Sequence, residues 1–162
     1  IVQLFGEDKG FEFMAGLHAN INQYTKSGSA PIKAAARGES TVGIVFMHDA
    51  VKQAVAGFPI TVVAPCEGTG YEIGSMSIID GARNEDSAKA FYDWALTAEA
   101  QNLALEVNAF QVPSNKSSNT SPAAPNMDDI KLIDYNFTLY GSSDERRRLL
   151  SKWDEDISTL AQ

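Results

Sequence analysis

The polar groups that could do chemistry in this chain are the pair His48-Asp49, the acid Glu72 and the run Ser27-Gly28-Ser29. His48 and Asp49 follow the apolar run Val42-Gly43-Ile44-Val45-Phe46-Met47, where the chain must turn out of a buried element. In open α/β sheets, ligands collect outside the carboxyl ends of strands. An imidazole donates or accepts and a carboxylate accepts, so the pair suits adjacent hydroxyls of a sugar. The other reading is that Asp49 caps the following helix and His48 is merely exposed. Glu72 lies between Gly70 and Gly74, where a backbone without Cβ atoms lets a ligand come close. Its carboxylate can accept two hydroxyls in charge-assisted hydrogen bonds, or it is an ordinary loop acid. Ser27-Gly28-Ser29 precedes a helix opened by Ala30-Pro31. Free N–H groups and the positive end of the helix dipole suit an anion there, with Lys26 adding charge; ordinary serine capping explains the same residues. Tyr71 offers a ring face to a sugar, or a place in the core or rim.

The elements that must position these groups are readable from punctuation and periodicity. Leu4, Phe5, Phe11, Met14, Leu17 and Ile21 recur at helical spacing, interrupted by Gly6-Glu7-Asp8, which predicts two helices. Pro31 suits the first turn of a helix running to Ala36 and stopping near Gly38, with Ser29 or Ala30 at its cap. Strands are expected at 42–47, 60–64 and 73–79, with a helix over 50–56 between the first two. Strand, helix, strand at this spacing predicts a crossover unit and a largely parallel sheet. Helices follow over 84–94 and 98–107, with Asn84 and Thr97 as caps. Residues 112–126 carry Pro113, Pro122 and Pro125 among Ser and Asn and read as a long polar connection. A charged amphipathic helix over 142–160 closes the chain, with Leu149, Leu150, Trp153, Ile157 and Leu160 on its apolar side. Phe91 and Trp94 are expected in the core, His18 at the surface and Cys66 at least half-buried.

Composition bounds the function. The chain has 162 residues, 44% hydrophobic and 21% charged, enough for a real core. A formal net charge of −8 argues against a nucleic-acid partner, which needs a basic surface to displace counterions. It leaves room for an anionic ligand in a locally positive pocket. One cysteine, Cys66, excludes an internal disulfide. There is no Walker motif, no nucleophile elbow and no metal triad, so no catalytic residue, metal or cofactor is expected. The chain opens on Ile1-Val2-Gln3-Leu4-Phe5 without an initiator Met, as though a helix had been cut. The expectation is a fragment or processed chain, in which the absence of a targeting signal carries no weight.

Ala36-Arg37-Gly38-Glu39-Ser40-Thr41-Val42-Gly43-Ile44 resembles the domain-two segment of extracellular solute-binding proteins, family 1. The same family pattern is met in Glu67-Gly68-Thr69-Gly70-Tyr71-Glu72-Ile73-Gly74 and in Ile78-Ile79-Asp80-Gly81-Ala82-Arg83-Asn84. It continues through Ala88 to Leu96, Ala98-Glu99-Ala100-Gln101 and Gln111-Val112-Pro113-Ser114-Asn115. The resemblance covers nearly the whole chain, through order and spacing rather than any one piece. It implies an α/β, type II periplasmic-binding-protein fold, here its carboxy-terminal portion: a mixed, largely parallel sheet flanked by helices. It implies a second-lobe portion over 1–72, a segment returning toward the first lobe over 73–126 and a carboxy-terminal helical segment over 127–162. It further implies a periplasmic receptor, not an enzyme, that hands a small polar solute to the membrane permease of an ABC importer. Ferric-binding relatives carry two adjacent tyrosines where this chain has His48 and Asp49. Relatives that bind hexose phosphates are closer, with His-Asp after the strand and Glu in the Gly-Tyr-Glu loop, which carries over to His48, Asp49 and Glu72. The implied ligand is a sugar phosphate. A ferric ion held by Asp49, Glu72 and Tyr71 with an anion is the alternative, and a phosphosugar hydrolase using Asp49 and Glu72 as acid and base stands further off. With most of the first lobe absent, an exposed apolar face would favour self-association.

Overall fold

In the computed structural model, which describes residues 1–160, the helices are α1 (Val2–Phe5), α2 (Glu7–His18), α3 (Ala30–Ala36), α4 (Met47–Val55), α5 (Glu85–Ala95), α6 (Ala98–Glu106), α7 (Phe137–Tyr140) and α8 (Ser143–Asp156). A short 3-10 turn spans Met127–Asp129. The expected break between the first two helices falls at Gly6, whose φ of 80° is open to glycine and strained for other residues. The chain divides into two compact units: Ile1–Lys26 with Pro65–Tyr71 and Ile130–Gln162, and Ser27–Ala64 with Glu72–Asp129.

In the first unit α1 packs on α2 and α7 on α8. Its buried apolar side chains are Phe11 and Ile157, the latter only 1% exposed. Ser142 caps α8 by accepting a hydrogen bond from the Glu145 N–H at 3.2 Å. The Arg148 guanidinium then fastens α8 to α2. It donates to both Glu7 carboxylate oxygens, at 2.9 and 2.6 Å, and to both of Glu145, at 2.9 and 2.7 Å. These hydrogen bonds hold both carboxyls below their usual range and raise the guanidinium further. Lys152 lies 4.9 Å above the Phe11 ring, a cation–π contact between the same helices. His18 corrects the surface expectation: it is 3% exposed. Nδ1 meets the Tyr24 hydroxyl at 2.9 Å, Nε2 meets the Leu160 carbonyl at 3.2 Å, and Trp153 packs edge-on against the ring. Bonds at both nitrogens are what make a buried imidazole tolerable.

The second unit sets α3 against α4 and α5 against α6. Ile32 and Ala36 from α3, Ala50 and Val51 from α4, and Phe110 are its buried apolar residues. Thr97 caps α6 as expected, accepting from the Ala100 N–H at 3.2 Å. Asn84 stands at the α5 cap position without a side-chain capping bond. The long polar connection is tied to α6. Gln101 accepts from the Asn115 N–H at 2.9 Å and donates to Ser114 Oγ at 3.0 Å, and Asn102 accepts from the Asn119 N–H at 2.7 Å.

The sheet expected from the sequence does not form. Among the described residues the sole β pairing is an isolated parallel bridge between Thr69 and Leu132, in the first unit. The segments at 42–46, 60–64 and 73–79 carry strand-like sequence but find no neighbouring chain to pair with, and a ladder needs two. Met47 leaves the first of them for α4, which starts three residues earlier than the apolar pattern suggested. Phe91 and Trp94 also depart from expectation. They touch each other at 5.5 Å but are 60% and 45% exposed. Cys66 is exposed.

Candidate ligand-binding site

The early start of α4 puts His48 and Asp49 in its first turn rather than in a loop before it. The residue at the cap is Phe46, with extended backbone and no side-chain capping bond, so Asp49 does not cap the helix. Its carboxylate stands instead where the helix dipole favours negative charge. Ala50 and Val51, buried immediately behind, hold this turn against the unit's core. The His48 ring stacks on Phe46 at 5.6 Å and 14°. His48 Nε2 lies 3.9 Å from Asp49 Oδ1, and both side chains keep a little over a quarter of their surface open, 28% and 27%. An imidazole and a carboxylate are thereby presented side by side, half-buried, with polar atoms accessible to a ligand.

Ser29 stands at the cap position of α3, as expected, but makes no side-chain capping bond. The Ala30 N–H is taken by the Ser27 carbonyl at 3.2 Å. Gly28 has open space around it. The helix it precedes is only Ala30–Ala36, a short source of dipole for an anion. Gly43 links this region to the turn holding His48. A Cβ there would lie 2.9 Å from the Pro31 carbonyl oxygen and 3.0 Å from its carbon. Only glycine lets the segment leading to His48-Asp49 pass this close to the start of α3.

Glu72 is an exposed residue of the second unit, as His48, Asp49 and Ser27 to Ser29 are members of it. Tyr71 belongs to the first unit. Its ring meets Tyr135 at 6.1 Å and Phe137 at 5.7 Å, and those two rings lie 4.7 Å apart. Sequence reasoning missed this aromatic cluster. The signal was present in Tyr135-Asn136-Phe137, two rings one residue apart, which meet where the chain turns at Asn136 into α7. Among the described residues no group of three or more His, Cys, Asp or Glu side chains is arranged to hold a metal ion, and no helix is long and apolar enough to cross a membrane.

The profile of a family described as bacterial extracellular solute-binding proteins matches residues 3–130. The chain belongs to that family. Membership implies a periplasmic location. A solved structure of the periplasmic binding protein AfuA from Actinobacillus pleuropneumoniae, with exogenous fructose-6-phosphate bound, overlays with a TM-score of 0.92. It is 51% identical over 98% of this chain and 50% of its own. The periplasmic binding protein P5PA overlays at 0.88, with 37% identity over 97% of this chain and 50% of its own. An uncharacterised protein of Haemophilus influenzae is 46% identical over 96% of this chain and 45% of its own length. The chain thus spans about half the length of the relatives it matches. The solute-binding protein fold is common to the two solved neighbours, which are binding proteins rather than enzymes.

Proposed function

We propose that this chain is the part of an ABC-importer receptor that captures a small anionic solute, a sugar phosphate, and presents it to a membrane permease. The observation that carries the reading is the overlay on AfuA, whose structure holds fructose-6-phosphate. The local chemistry agrees with it. His48 and Asp49 offer a donor–acceptor pair for neighbouring hydroxyls, and Glu72 offers a second carboxylate. The backbone at Ser27-Gly28-Ser29 supplies N–H groups suited to a phosphate. A receptor needs these groups to bind reversibly, and the change in shape on loading is what an importer recognises.

The test is a calorimetric titration with fructose 6-phosphate and glucose 6-phosphate, alongside glucose, inorganic phosphate and ferric citrate. It is run on this chain and on a receptor that carries it at the full length of the solved neighbours. Binding of a sugar phosphate alone, tight in the longer protein and weak in this chain, is expected, because half a cleft lacks opposing contacts and water exclusion. Heat with ferric citrate alone would replace the reading with a ferric receptor. Release of phosphate from the sugar phosphates would replace it with a hydrolase.

A further inference from the structure

Phe46 holds the cap position of α4, where Ser, Thr, Asp or Asn would ordinarily accept a hydrogen bond. Its side chain makes no capping bond and is half exposed, at 50%, so the ring serves neither the helix start nor the core. What the ring does is stack on His48. Their centroids are 5.6 Å apart and their planes 14° from parallel, an offset arrangement of the kind aromatic pairs favour. Residues two apart within a helix do not face each other. The stack forms because Phe46 is extended, at φ −64° and ψ 136°, while His48 already lies in the first turn. The Phe46 carbonyl accepts from the Asp49 N–H at 3.1 Å and from the Ala50 N–H at 3.4 Å. One residue thus sets the backbone of the turn and covers one face of the imidazole.

We infer that Phe46 is a positioning residue of the candidate site, holding the His48 ring so that its Nε2 stands beside the Asp49 carboxylate for a shared solute. Nε2 lies 3.9 Å from Asp49 Oδ1, beyond hydrogen-bond reach. The two groups are therefore aligned without consuming each other's bonding capacity, and each keeps open surface. A side chain that turns freely loses that freedom when a solute binds. A ring already held by a stack loses less, which is how preorganisation raises affinity. Phe46 acts through His48 and is not itself a solute contact. The inference rests on the reading of His48 as such a contact, whereas the stack stands whichever solute the receptor takes.

The first arm of the experiment needs no solute. Proton NMR of this chain reads the His48 ring signals, assigned by their loss in His48→Gln and so separated from those of His18. The stack places them upfield of an unstacked histidine in wild type. They should return toward that position in Phe46→Leu and keep the wild-type shift in Phe46→Tyr, which retains a ring face. The wild-type and Phe46→Tyr spectra decide this arm even where Phe46→Leu folds poorly. The second arm titrates fructose 6-phosphate calorimetrically into a receptor of full family length carrying this chain. Phe46→Leu should weaken binding roughly two- to tenfold, and Phe46→Tyr should bind as wild type. Phe46→Leu in a His48→Gln background should cost nothing further. Unshifted His48 signals in wild type would overturn the inference, as would wild-type affinity in Phe46→Leu. Losses that add in the double variant would overturn it too, because Phe46 would then touch the solute itself. No uptake of fructose 6-phosphate by wild type, or wild-type affinity in His48→Gln, would overturn the functional reading and the inference with it. Stacked His48 signals in the first arm would then place the failure in that reading and not in the geometry.

Discussion

Replacing Gly43 by alanine should destabilise the second unit and weaken the proposed ligand binding together. The added Cβ would sit 2.9 Å from the Pro31 carbonyl oxygen, 3.0 Å from the Pro31 carbon and 3.2 Å from the Ile32 nitrogen. Ordinary contacts of this kind are close to 3.5–4.0 Å, so backbone must move by roughly half an ångström or more, and no flexible side chain can absorb the shift. Overpacking of this sort costs about 1–3 kcal/mol. The displaced segment runs directly into Phe46 and the His48-Asp49 turn. The assay is urea unfolding followed at 222 nm, beside Gly74→Ala in the same unit, where a Cβ meets nothing within 4 Å. Gly74→Ala should stay within about 0.5 kcal/mol of wild type. Equal midpoints for the two variants would refute the packing argument. A destabilised Gly43→Ala protein with unchanged affinity would refute the claim that this contact positions the site.

Other variants test the frame. Thr97→Ala and Ser142→Ala each remove a side-chain acceptor from a helix start, at α6 and α8, and should cost about 1 kcal/mol apiece in denaturant unfolding. Ile157→Ala empties a site that is 1% exposed and should cost about 2–5 kcal/mol, read in the same way. Arg148→Met should lower the melting temperature at neutral pH, with a deficit that shrinks in acid. The Glu7 and Glu145 carboxyls are held below their usual range by hydrogen bonds from Arg148, so their contribution is present above the unfolded carboxylate range and is lost as pH falls through the lowered folded values. Melts of both proteins between about pH 7 and about pH 3 check this, and a deficit independent of pH would show that the guanidinium acts only by packing.

Helices were legible in the sequence because their signals are local. Gly6, Pro31, Thr97 and Ser142 mark boundaries through backbone conformation and capping, which need no distant partner. The sheet was not, because a strand's hydrogen bonds belong to its neighbour. Residues 42–46 keep the alternation of a strand without one. His18 and Trp94 were misplaced for a related reason. Burial of His18 depends on Tyr24, Trp153 and Leu160 arriving from elsewhere in the chain, and exposure of Trp94 on nothing arriving. At the candidate site, the apolar run puts His48 and Asp49 just past a strand, where the chain would leave a sheet, whereas the structure puts them in the first turn of α4. Their helical setting was hidden because α4 begins at Met47, inside the apolar run.

The most direct test of the central claim compares wild type, Asp49→Ala and Glu72→Ala by calorimetric titration with fructose 6-phosphate, in a receptor of full family length carrying this chain. Each substitution removes a charged acceptor, worth about 1.5–3 kcal/mol or roughly ten- to 150-fold in affinity. Tight binding by wild type and losses of that order in both variants are expected, with the fold intact by circular dichroism. Wild-type affinity retained in both would contradict it and place the solute elsewhere.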